Sequence, residues 1–145
     1  MEKVTVKAHF HTGHRQIGYP GHCAYVHGHT WRGTITIWCE EFPRDELDMS
    51  LDFGDLKRIM RFLDHKMLIT ENDKTFQNSD LFEPEGVVLL KGKGPSVENV
   101  AHYVWDGVVK HITEKFPNRG LEYTIDVEIQ ETDNNFFTVQ KKATV

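Results

Sequence analysis

A chain of 145 residues with 39% hydrophobic and 27% charged side chains can bury one core and is too apolar for a disordered polymer. A net charge of −5 argues against a phosphate-backbone partner, and no run approaches the roughly 18 apolar residues of a membrane span, so neither nucleic acid nor membrane is an expected partner. Two cysteines make no disulfide framework and the first residues hold no apolar leader, which gives a reduced, cytoplasmic setting as the expectation.

Val4, Val6, Ala8 and Phe10 alternate with Thr5, Lys7 and His9, the pattern of a half-buried strand. A turn-rich segment follows at residues 17–21. Residues 26–39, rich in Thr, Ile and Trp, read as a second, long strand. Asp52 can cap a helix in which Phe53, Leu56, Ile59, Met60 and Leu63 share one face. Residues 71–85 are polar and read as loop, and residues 87–90 as a short strand.

Pro95 and Ser96 open a second helix, with Val97, Val100, Ala101, Val104, Trp105, Val108 and Ile112 on its apolar side. Leu121, Tyr123, Ile125, Val127 and Ile129 alternate through a further strand, and residues 136–141 complete a hairpin across residues 132–135. No repeat or linker divides the chain, so residues 1–145 read as one domain. The order, two strands, two helices, two strands, predicts an α+β domain: an antiparallel sheet with both helices on one face.

The one oddity of composition is nine histidines, five of them within residues 10–29 and a sixth, His9, just before. In the strand His27-Gly28-His29 both imidazoles point to one side, in phase with Trp31, Ile35 and Ile37. If the first strand continues, His14 shares the phase of Val4, Val6, Ala8 and Phe10. Three neutral imidazoles over a half-apolar floor suit an open zinc site whose fourth position is left for water or substrate. His9 and His11 form another H-x-H, and any of these histidines can also serve as an ordinary hydrogen-bonding residue.

Cys23 lies four positions before His27. It can be a fourth zinc ligand, a free base or nucleophile, or an inert thiol such as Cys39. Asp64-His65 directly follows the first helix, as a favourable dipole contact or as an acid/base relay. Glu131 continues the apolar phase of its strand, where a carboxylate needs a partner.

Read together, Phe10-x-x-x-His14-Arg15, Cys23-x-x-x-His27-Gly28-His29, Asp52-Phe53-x-x-Leu56-Lys57, Leu63-Asp64-His65-Lys66-x-Leu68, Pro95-Ser96-Val97-Glu98-Asn99 and Glu131-Thr132 form an ordered set. The set resembles the 6-pyruvoyl- and 6-carboxy-tetrahydropterin synthase family across nearly the whole chain. The resemblance implies the tunnelling fold (T-fold, ββααββ), with trimers closing a β-barrel and pairing into hexamers. It implies Zn²⁺ held by His14, His27 and His29, with Cys23 as the proton-abstracting base and Asp64 and His65 as its relay.

By the same resemblance Glu131 anchors the pterin ring, Ser96 supplies a substrate-binding hydroxyl, and the substrate is 7,8-dihydroneopterin triphosphate. Zinc would act on the side-chain hydroxyls as a Lewis acid. The short Cys-to-His spacing resembles the carboxy branch, which releases acetaldehyde and triphosphate on the way to 7-deazaguanines such as queuosine. Residues 97–106 and 131–135 resemble the pyruvoyl enzymes instead. Val97 departs from the family's Thr, and residues 71–94 are longer than in compact members. Two readings compete: a zinc hydrolase, and a non-catalytic zinc-stabilised binding module with Cys23 as fourth ligand.

Overall fold

The computed structural model describes residues 1–145. Strands β1 (Glu2–His14) and β2 (His27–Cys39) pair antiparallel in one unbroken register, from Glu2 opposite Cys39 to His14 opposite His27. Helix α1 (Phe53–Arg61) starts where Asp52 Oδ1 accepts the Gly54 and Asp55 amides at 2.6 and 3.3 Å, satisfying two of the free N–H groups of a helix start. After strand β3 (Lys66–Thr70), the polar stretch holds a single turn, α2 (Lys74–Gln77), before strand β4 (Val87–Leu90).

Helix α3 (Val97–Lys115) is capped by Ser96, whose Oγ accepts the Asn99 amide at 3.4 Å. Strands β5 (Glu122–Thr132) and β6 (Asn135–Thr144) form the closing hairpin.

These strands make one six-stranded sheet in the order β4-β3-β1-β2-β5-β6. The four long strands are antiparallel, as the alternation predicts. β3 joins β1 and β4 joins β3, both in parallel, so the sheet is mixed where the sequence reading expects an antiparallel one and does not anticipate β3. The reason is chemical: Met67, Leu68, Ile69 and Thr70 are all buried, and a strand covered on both faces has no alternation to read.

The core lies between one face of the sheet and the two long helices. Phe10, Trp31, Ile35, Ile37, Tyr123, Ile125, Val127 and Ile129 from the strands meet Leu56, Met60, Leu63, Val100, Val104, Val108 and Ile112 from α1 and α3. Phe10 and Trp31 stack with ring centres 6.1 Å apart. Gly33 lets α1 settle onto β2, because a Cβ there would run into the Met60 sulfur. Both edge strands, β4 and β6, keep one side of their backbone unpaired.

Candidate metal centre and active site

β1 continues to His14 and β2 begins at His27, so the register sets these two residues directly opposite each other, with His29 one step inward across from Thr12. Ring centres are 4.6 Å apart for His14 and His27, 4.9 Å for His27 and His29, and 5.3 Å for His14 and His29. One nitrogen from each falls within 4.8 Å of the others. Trp31 forms the floor, 5.1 Å from the His14 ring and 5.5 Å from that of His29, and its Nε1 donates to Thr12 O at 3.1 Å.

Main-chain carbonyls fix two of the imidazoles. His14 Nδ1 donates to Pro95 O and His27 Nδ1 donates to Tyr25 O, each at 2.6 Å. A carbonyl only accepts, so in the neutral form of these two rings Nε2 carries the lone pair. Nε2 of His14 and of His29 are buried without a hydrogen-bond partner. Burial pushes the His14 pKa down to about 4, helped by the neighbouring His27 and His29 and opposed by the Pro95 bond. The same burial lowers that of His29, against the pull of Glu131. His14 and His29 therefore each present a buried nitrogen with nothing to bond, His27 faces them, and such a donor set fits zinc.

The three histidines form one wall of a cavity of about 430 Å³, which Cys23, Ser96, Val97, Glu98, Glu131 and Asn135 also line. Cys23 sits in the short 3₁₀ turn His22–Ala24, half-buried and unpaired, and its sulfur lies outside the converging set. Ser96 and Glu98 arrive on the first turn of α3. The strap before it, residues 91–95, is held by Asn99 Nδ2 donating to Gly94 O at 2.7 Å. Glu131 enters from β5 with 22% of its side chain exposed.

Glu98 is the cavity carboxylate that the sequence pattern does not single out. An acid in a first helical turn has an ordinary dipole role, and only the docking of α3 beside His14 brings it to the site.

Asp64 and His65 lie elsewhere. Asp64 Oδ1 accepts the His11 amide at 2.7 Å, His65 N donates to His11 O at 2.7 Å, and His65 Nδ1 contacts Asp64 Oδ2 at 2.8 Å. The His11 amide, and next His65, hold the Asp64 carboxyl below its ordinary range. His65 takes a left-handed φ of 57°, and its ring stands 6.4 Å from that of His11. His11 and His14 are three residues apart on β1, so they project from opposite faces of the sheet. Neither Asp64 nor His65 lines the cavity that holds Cys23.

Next to His14, Arg15 reaches the other way. Its guanidinium forks onto Asp73 with two 2.8 Å bonds and covers the Phe76 ring at 4.0 Å. Asp73, 3% exposed, also caps α2 through the Phe76 amide. Asp73→Ala leaves a half-buried cation without its partner, and the expected loss of folding stability is about 3 kcal/mol. Urea denaturation of the two proteins measures it.

The sequence profile described as 6-pyruvoyl tetrahydropterin synthase matches residues 3–142. A Rickettsia bellii protein named 6-carboxy-5,6,7,8-tetrahydropterin synthase is 31% identical over 147 residues, covering 96% of this chain and all of that one. A Rickettsia typhi protein of the same name is 26% identical with equal coverage. Among solved structures, a catalytic-residue mutant of Plasmodium vivax 6-pyruvoyltetrahydropterin synthase superposes with a TM-score of 0.69 at 19% identity, covering 98% of both chains. The Caenorhabditis elegans 6-pyruvoyl tetrahydropterin synthase superposes at 0.53 with 23% identity over 97% of each. With its α+β architecture and nearly every residue inside the profile, the chain belongs to the 6-pyruvoyl tetrahydropterin synthase family.

Proposed function

We propose that this protein is a zinc-dependent 6-carboxy-5,6,7,8-tetrahydropterin synthase, converting 7,8-dihydroneopterin triphosphate to 6-carboxy-tetrahydropterin, acetaldehyde and triphosphate in 7-deazaguanine synthesis. The observation that carries the reading is the convergence of three imidazoles and one free thiol on a single cavity. The names of the relatives similar over their full length, and the short spacing from Cys23 to His27, favour the carboxy branch.

His14, His27 and His29 would hold the zinc, which supplies Lewis acidity toward the hydroxyls of the substrate side chain. Cys23 takes a proton from a side-chain carbon presented to it in the cavity, and its sulfur position, outside the converging nitrogens, leaves it free to do so. Glu131 and Glu98 are the carboxylates available to accept hydrogen bonds from the guanidine-like edge of the pterin ring, and Ser96 adds a hydroxyl beside them. Val97 offers no hydroxyl.

Asp64 orients His65 through its 2.8 Å contact, and the pair passes the proton onward. Because the pair lies on the sheet face away from Cys23, the relay that serves one cavity comes from a second copy of the chain. The unpaired backbones of β4 and β6 give such copies a way to join, as a trimer or a dimer of trimers. No helix is long and apolar enough to cross a membrane, and the working location proposed is the cytoplasm.

Mass spectrometry of the products from 7,8-dihydroneopterin triphosphate tests the assignment. Acetaldehyde with 6-carboxy-tetrahydropterin is the expected result. The second reading, 6-pyruvoyl-tetrahydropterin synthase, rests on residues 97–106 and 131–135, and a product that keeps the carbon chain after loss of triphosphate would establish it. Zinc-loaded protein that turns over neither branch would leave a zinc-stabilised binding module.

A further inference from the structure

Glu131 stands where the β5–β6 ladder slips. Gln130 pairs with Phe136 and Thr132 with Asn135, leaving Glu131 in the irregularity between them. Such a slip bends a strand and re-aims a side chain. Here it turns Oε1 toward the histidine cluster, 3.4 Å from His14 Nε2 and 3.7 Å from His29 Nε2.

These contacts are not ordinary ion pairs. His14 Nδ1 donates to Pro95 O, so in the neutral ring Nε2 carries a lone pair and no proton. A carboxylate oxygen therefore faces the lone pair of His14 Nε2 with no hydrogen between them, and Nε2 of His29 likewise forms no hydrogen bond. Alone, that arrangement is repulsive. A shared cation makes it attractive. Two ligand atoms on one tetrahedral zinc, each bonded at roughly 2.0–2.2 Å, lie about 3.3–3.5 Å apart. The 3.4 Å separation falls in that interval and the 3.7 Å separation just beyond it.

We propose that Glu131 is the fourth, displaceable metal ligand of the resting protein, approaching from the side of His14 and His29. The proposal rests on the metal-binding reading above and deepens it. A carboxylate in that place keeps the resting site closed to adventitious ligands, and it gives way when substrate enters the cavity. The freed carboxylate is then available to the pterin edge, so one residue serves the metal before binding and the ring after it.

The test uses cobalt(II), whose visible absorption reports the number and kind of its ligands. Full-length protein stripped with a chelator is titrated with Co²⁺ alone, as wild type, Glu131→Gln and Glu131→Asp. Glu131→Gln is expected to weaken Co²⁺ binding by at least about tenfold and to shift the visible bands. Glu131→Asp keeps the charge one methylene short and is expected to fall between the two. Unchanged affinity and spectrum in both variants would overturn the ligand assignment while leaving the three-histidine site standing. Wild-type protein that binds no Co²⁺ would instead sink the metal reading itself. Added 7,8-dihydroneopterin, its binding followed by pterin fluorescence, is expected to change the wild-type cobalt spectrum; pterin that binds and leaves the spectrum untouched would show that Glu131 is not displaced.

Discussion

Cys23→Ala is expected to lower turnover by about 10²–10⁴-fold, the range lost with a general base, while the protein keeps its metal and its fold. The thiol lines the cavity from a 3₁₀ turn, and no strand or helix packs through it. Its sulfur stands outside the set of nitrogens that converge, so removing it leaves the three-histidine set whole and takes no piece from the core. What it removes is the one cavity group with a polarizable, proton-accepting sulfur. Metal content by elemental analysis, melting temperature and single-turnover rate are the three readouts. Full turnover with metal retained would show that another group abstracts the proton. Loss of metal together with unfolding would return Cys23 to the role of structural ligand, as in a zinc-stabilised binding module.

The legible and illegible parts of this molecule divide along a physical line. Alternation in β1 and β2 is a property of single strands, and it correctly turned Phe10, Trp31, Ile35 and Ile37 toward the core and set His14, His27 and His29 in phase with them. Asp52 and Ser96 announced their helices because capping is local chemistry. β3 left no such mark, since burial of both its faces erases the period on which strand reading depends.

Pairing between distant segments is the other blind spot. Asp64 and His65 follow α1 in sequence and read as near neighbours of the site, yet the parallel pairing of β3 with β1 fixes them against His11, on the far side of the sheet from His14. Arg15 with Asp73 spans 58 residues and Pro95 with His14 spans 81, and neither contact leaves a periodic trace. Glu98 could be read as a helix-start acid from sequence, and only the docking of α3 makes it a cavity residue.

The placement of Asp64 and His65 has its largest consequence in a mixed oligomer. Cys23→Ala and His65→Ala are each expected to be nearly inactive alone. Co-expressed with different affinity tags and purified through both, they should regain activity. Under the proposed shared relay, each working site needs an intact Cys23 from one copy and an intact His65 from the next. In a trimeric ring joined head to tail, every doubly tagged ring holds that combination at about a third of its sites, and random mixing in a dimer of trimers gives about a quarter.

A relay working within one chain makes the opposite forecast, since every copy in the mixture then carries one broken component and no site is whole. The geometry of the sheet favours the shared relay. His11, the residue that holds Asp64 through its amide, projects from the face opposite His14, and the His65 side chain is 83% exposed, free to meet another molecule. Activity in the doubly tagged sample that stays at the level of the single variants would place the relay elsewhere. Recovery toward about a quarter to a third of wild type would make the oligomer part of the catalytic machinery, so that the exposed edges of β4 and β6 become a requirement of the chemistry as well as of the fold.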